Sequence, residues 1–229
     1  MRRPVVTSGN SEAPARATLC HGRIELALHQ LQGGSGRTLL LLHGLGEATP
    51  RRVPAQVREW SGPVFGLDFT GHGASTLSAG GGYTAEALLG DADAAVEHLG
   101  EVTVVGRGVG AYIALMLIGA RPESVRGVVL CDGPGLSGGG IQPGSPFVVC
   151  PQFGLGRAPD PFAMVELARD IRPPDYAVNF VRFAMERSQV PDPITVAAVV
   201  RPEWLAAVAR EPGVVQRGVT TALAGYGRT

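Results

Sequence analysis

Short, almost wholly apolar runs that each end directly in a glycine-rich turn constrain this chain more than any other feature. Thr38 to Leu42 (TLLLL) runs into His43-Gly44-Leu45-Gly46, and Val64 to Phe69 (VFGLDF) runs into Thr70-Gly71-His72-Gly73. Val102 to Val105 (VTVV) meets Gly106-Arg107-Gly108-Val109-Gly110, and Val128 to Cys131 (VVLC) meets Asp132-Gly133-Pro134-Gly135. Runs this short, with no polar alternation, suit strands covered on both faces. Arg23 to Gln32 (RIELALHQLQ) instead alternates apolar and polar residues, the period of a half-buried strand near a sheet edge.

Helical segments separate these runs. Thr84 to Leu99 is rich in Ala and Leu, with Thr84 placed to cap its start and Gly100 to stop it. Val109 to Ala120 is so apolar that it belongs against the sheet, and Arg121-Pro122 ends it. Strand alternating with helix predicts an α/β fold with a mostly parallel sheet flanked by helices, its post-strand loops gathered along one edge.

Residues 1–17 are polar and rich in Pro, Gly and Ser, and are expected to be loosely ordered; 18–132 form the sheet core. Beyond it, 133–229 reads as a Gly/Pro-rich loop and then short helices packed on the same domain: Phe162 to Asp170, Tyr176 to Arg187, Ile194 to Val200 and Glu203 to Arg210. Phe147 to Cys150 is the one later stretch with any strand character, and it is read as non-strand. Late strands are therefore expected to be missing. The sheet edge so exposed would need cover from those helices or from a second copy of the chain, which motivates a homodimer.

At 229 residues, 45% hydrophobic and 17% charged, the chain suits one globular domain. Twenty basic and twenty acidic residues cancel, so no overall field favours nucleic acid or an anionic membrane; a small neutral or amphipathic ligand fits better. The apolar stretches fall short of the ~20 residues of a membrane span, and the N-terminus lacks the apolar block of a secretory signal, so a cytoplasmic address is expected. Cys20, Cys131 and Cys150 are widely spaced without a CxxC pair, which disfavours a disulfide framework and a zinc site. No metal and no cofactor is expected.

Taken together, the loop His43-Gly44-Leu45-Gly46, the segment Gly66 to Ser75 (GLDFTGHGAS) and the turn Gly106 to Gly110 resemble the α/β-hydrolase superfamily in order and spacing. The resemblance implies an oxyanion loop at Gly44-Leu45 and a nucleophile elbow at Gly106 to Gly110. It also implies that the helices after Asp132 form a lid, with Phe162, Met164, Tyr176, Phe183 and Trp204 among the side chains available to line a hydrophobic cavity. The elbow departs from the G-x-S-x-G pattern: Gly108 stands where the serine belongs. The turn survives such an exchange, because glycine adopts the left-handed backbone more readily than serine, but Gly108 cannot attack a substrate. His21, His29, His43, His72 and His98 all lie in the first half, so the late histidine of the family's triad has no counterpart.

The expected remainder is a set of donors without a nucleophile. The N–H groups of Leu45 and Val109, beside Gly44 and Gly108, would converge on a carbonyl oxygen, carboxylate or phosphate. Asp132 matches the acid position that some members carry after the strand following the elbow; a brace for the Gly-rich turn after it is the plainer role. His43 and His72 are expected near the pocket as loop supports, and Arg107 is expected to point away from it. Three functions follow. The first is a non-catalytic member binding a small apolar or carbonyl-containing ligand or a partner. The second is a hydrolase of ester-like bonds in which Asp132 with His43 or His72 activates water. The third, assembly alone, has no positive signal. Whether the space above Gly108 is open or filled separates them.

Overall fold

Strand β1 (Ala15–His21) turns at Gly22 into β2 (Ile24–Gln32), an antiparallel hairpin that places Leu26 and Leu28 in the core. The structure, a computed structural model, describes residues 15–139 and 158–227. Residues 15–17, expected to be loose, thus begin the edge strand, while 1–14 and the Phe147 to Cys150 stretch lie outside the described residues.

The buried runs become β3 (Thr38–Leu42), β4 (Val64–Leu67), β5 (Val102–Arg107) and β6 (Val125–Cys131). The sheet order is β1-β2-β4-β3-β5-β6, continued by β7 (Ile194–Val196) and β8 (Val214–Gln216). All pairs from β4 to β8 are parallel; β1–β2 and β2–β4 are antiparallel.

The expectation of missing late strands is therefore wrong, and so is the helix at Ile194 to Val200. Each late strand is only three residues, ITV and VVQ, too short to show any period. What makes Ile194–Val196 a strand is its neighbour: Val128, Val129 and Leu130 present a parallel edge to Ile194, Thr195 and Val196. The argument for a second copy over an open edge beside β6 lapses with it.

Helix α1 (Ala85–Leu99) starts where Thr84 Oγ1 accepts the Ala87 N–H and stops at Gly100, φ +78°. Helix α2 (Val109–Ala120) is buried from Val109 to Ile118, because it lies on the sheet and is itself covered by α1 and by α4 (Pro174–Arg187). A Cβ at Gly119 would meet Phe180 at 2.8 Å, so α4 packs at backbone contact there. With α5 (Glu203–Val208), α4 walls this face. Among the described residues, only α3 (Pro161–Arg169) has a lid-like place: Met164 abuts Gly46, and Glu166 accepts the N–H groups of Gly82 and Tyr83. Trp204 and Leu205 are core residues, whereas Phe162, Tyr176 and Phe183 face solvent.

The other sheet face carries a smaller core, in which Leu39, Val64 and Val129 pack under Trp60 and under Leu223 and Tyr226 of α6 (Val219–Tyr226). Between β3 and β4 this face receives only a 3-10 turn, Ala55–Val57. Among the described residues no helix is long and apolar enough to cross a membrane.

Candidate active site

The β5–α2 turn has the strained shape of an elbow. Gly108 sits at φ +60°, ψ −123°, directly before α2. Gly106 and Gly110 are required by close approach: a Cβ would lie 2.3 Å from the Gly110 carbonyl in the first case and 2.5 Å from the Leu42 carbonyl in the second. The space above Gly108 is filled. A Cβ there would lie 2.0 Å from the Pro134 carbonyl oxygen and 2.8 Å from the Gly133 carbonyl carbon.

That same oxygen accepts the Leu45 N–H at 2.9 Å and the Val109 N–H at 3.0 Å. The two donors picked out in the sequence do converge on a carbonyl oxygen, and the carbonyl is the chain's own. The segment that supplies it is anchored at several points. Arg172 Nη1 donates to the Gly135 and Leu136 carbonyls, Trp204 Nε1 donates to Leu136 at 2.9 Å, and the Gly139 N–H donates to Asp170 at 2.7 Å. The Arg172 guanidinium is buried over the Tyr112 ring, 4.8 Å from its centroid, an attractive cation–π geometry. Burial lowers the Arg172 pKa to about 10, with Asp170 opposing the shift.

Both ring nitrogens of His43 are used by backbone: Nδ1 donates to the Gly44 carbonyl at 2.8 Å, and Nε2 accepts the Phe69 N–H at 3.1 Å. Burial lowers its pKa and keeps it neutral. His72 lies 5.1 Å from it, ring to ring, and donates from Nδ1 to the Thr70 carbonyl. Burial first, and the His43 neighbour second, push its pKa down to about 4. Asp68 ties these loops together, accepting N–H groups from Thr49 and Ala74 and a bond from His29. Burial alone would raise its pKa, but these donors outweigh burial and hold it below the usual carboxylate range.

Asp132 does not brace the turn that follows it. Its carboxylate accepts the N–H groups of Val199 (2.7 Å) and Val200 (2.9 Å), tying down the loop after β7. Sequence reasoning could not foresee this, because the strand that brings Val199 there was not recognised. Arg107 lines a cavity of about 610 Å3 together with His43 and Asp132. Its Nε donates to Glu47 and its Nη1 to the Asp132 carbonyl, while the Glu47 carboxylate also takes the Gly44 N–H. His72 does not line that cavity.

Glu47, Pro134 and Arg172 were missed. Pro134 stood in a Gly-Pro-Gly turn that reads as plain loop, and nothing in the sequence marks a carbonyl that folds inward. Among the described residues no group of three His, Cys, Asp or Glu side chains could hold a metal ion.

A model described as the alpha/beta hydrolase family matches residues 39–228. No curated protein matches the sequence significantly. Among solved structures, the chain is similar to a thioesterase domain from the curacin biosynthetic pathway (16% identity, TM-score 0.65, covering 95% of this chain and 98% of that one). It is also similar to a haloalkane dehalogenase from Agrobacterium tumefaciens (16% identity, TM-score 0.63, covering 92% and 90%). An epoxide hydrolase from Vigna radiata is 25% identical over 56% of this chain (TM-score 0.47), and the match spans only 40% of that enzyme's length. At these identities the two fuller matches bear on the fold alone.

Proposed function

We propose, for a chain that belongs to the alpha/beta hydrolase family, that it binds a small molecule and does not carry out the nucleophilic hydrolysis associated with the fold. The observation that carries this reading is the Pro134 carbonyl seated on the N–H groups of Leu45 and Val109, above an elbow whose apex is Gly108. Acyl transfer requires a nucleophile within reach of the carbonyl carbon and a pair of donors free to receive the developing oxyanion. Here the apex offers no hydroxyl, and the donors already hold a carbonyl at hydrogen-bond distance. A substrate would have to displace a backbone segment anchored by Arg172 and Trp204 before any chemistry began.

The alternative, water activated by His43 or His72 with Asp132, draws no support from the geometry. The His43 nitrogens are both bonded, His72 is fully buried, and the Asp132 carboxylate holds two backbone N–H groups. A general base must reach the proton it removes. Binding is supported by the cavity on the other side of the elbow, where Arg107, Glu47 and Asp132 meet apolar walls.

The test is turnover of p-nitrophenyl acetate and butyrate, with labelling by a serine-directed fluorophosphonate, on the purified chain. The expected result is a rate equal to that of heat-denatured protein and no label. Turnover that survives purification and falls on Asp132→Ala or Gly44→Ala substitution would overturn the reading.

A further inference from the structure

We infer that the cavity of about 610 Å3 beside the filled elbow is a binding site for an uncharged, largely apolar molecule carrying one carbonyl group: a ketone, ester or lactone by chemical class. The inference rests on the binding part of the function proposed above and is independent of how the elbow is closed.

The cavity exists because the β3–β4 connection lays only one 3-10 turn over this face of the sheet. Among the described residues, the C-terminal ends of the strands stay uncovered between that turn and the start of α6. Leu41, Val105 and Ala197 form the sheet side of the cavity, and Val57 and Val219 close it from the turn and the helix. Its size lies within the range of roughly 300–1,000 Å3 typical of small-molecule sites, and the pattern of apolar walls with a few converging polar groups is typical too.

The polar groups decide the ligand's chemistry. Both carboxylates are already engaged: Glu47 holds the Gly44 N–H and Arg107 Nε, and Asp132 holds the N–H groups of Val199 and Val200. Arg107 directs Nε to Glu47 and one Nη1 hydrogen to the Asp132 carbonyl, and its side chain is 53% exposed. Among the described residues its Nη2 has no hydrogen bond to the protein, so this wall offers donors and the complementary group on a ligand is an acceptor.

Charge then separates the acceptors. One guanidinium between two carboxylates leaves the rim net negative, which opposes a carboxylate ligand. An ammonium ligand would find both carboxylates already holding other donors and would have to sit beside the guanidinium, so the net charge gives it no partner. The apolar walls penalise desolvation of either ion. A neutral carbonyl oxygen meets none of these costs.

The test is a fluorescence titration of the full chain with 2-acetylnaphthalene, run beside 2-naphthoate and 2-(aminomethyl)naphthalene. The ketone is expected to bind saturably at one per chain and at least tenfold more tightly than either ion. Ala197→Trp and Val105→Phe, which fill the cavity, are each expected to weaken the ketone about tenfold with the circular dichroism spectrum retained. Arg107→Met, which keeps the stem and removes the donors, is expected to weaken it about fivefold. Absent saturation, equal affinity for an ion, or ketone binding untouched in both folded cavity-filling variants would overturn the inference. Ester turnover or fluorophosphonate labelling would instead count against the non-catalytic reading and leave the binding result standing, so the two can fail separately.

Discussion

Restoring the family's serine should cost stability and return no chemistry. In Gly108→Ser, the new Cβ would lie 2.0 Å from the Pro134 carbonyl oxygen and within 3 Å of the Gly133 and Pro134 carbonyl carbons, all backbone atoms. The residue must also hold φ +60°, which costs an L side chain roughly 1–2 kcal/mol. The clash is relieved only by moving the Gly133–Pro134 segment, which takes the acceptor away from the Leu45 and Val109 N–H groups. Each buried donor left unpaired costs about 1–3 kcal/mol. With two such donors the sum is about 3–8 kcal/mol, a large part of the ~5–15 kcal/mol that holds most domains folded. At roughly 2–4 °C per kcal/mol for a chain of this size, the thermal midpoint should fall by about 6 °C or more. Urea denaturation followed by circular dichroism on the native chain, Gly108→Ala and Gly108→Ser measures this. The two variants should lose similar amounts, because the Cβ and not the hydroxyl makes the contact. The serine variant should remain unlabelled by fluorophosphonate, since His43 has no free nitrogen to act as its base. A loss below about 1 kcal/mol in Gly108→Ser, or efficient labelling, would refute the reasoning.

Three further outcomes are expected. His72 is neutral in the fold with a pKa near 4 against 6.5 in the unfolded chain. The unfolded state therefore binds more protons between those values, and stability present above pH 6.5 is lost as pH falls towards 4. The loss is on the order of 3 kcal/mol, and urea midpoints at pH 7, 5.5 and 4.5 should flatten in His72→Asn; an unchanged slope would count against this origin. Arg172→Met keeps the buried bulk but removes the donors to Gly135 and Leu136, so the amides of Leu45 and Val109 should exchange with solvent at least about tenfold faster as the segment loosens; retained protection would show that Trp204 and Gly139 suffice. Asp132→Ala should remove protection from the amides of Val199 and Val200 at a cost of about 0.5–1.5 kcal/mol, seen by hydrogen exchange, and an unaltered pattern would mean that the carboxylate does not hold that loop.

Several elements were legible because the decisive interactions are local. Thr84 caps α1 from three residues away, Gly100 stops it, and the apolar run of α2 can only be buried. The missing hydroxyl at Gly108 and the absence of a late histidine are plain in the sequence, since they are matters of which side chains exist. Strand β7 was illegible for the opposite reason. Three residues directly after Pro193 carry no period of their own, and they become a strand only because β6 offers a parallel edge to pair with.

The sequence by itself determined which chemistry is not available at the elbow and which two N–H groups would converge on an acceptor, whether carbonyl oxygen, carboxylate or phosphate. Only the tertiary structure decided that the carbonyl comes from Pro134, 26 residues beyond the glycine it covers, and that Asp132 turns towards Val199. It also decided that Arg107 faces an open cavity. The physical reason is that a side chain's identity is written at its own position. The partner that satisfies a backbone N–H is set by which distant segment the packing of Arg172, Tyr112 and Trp204 holds within about 3 Å.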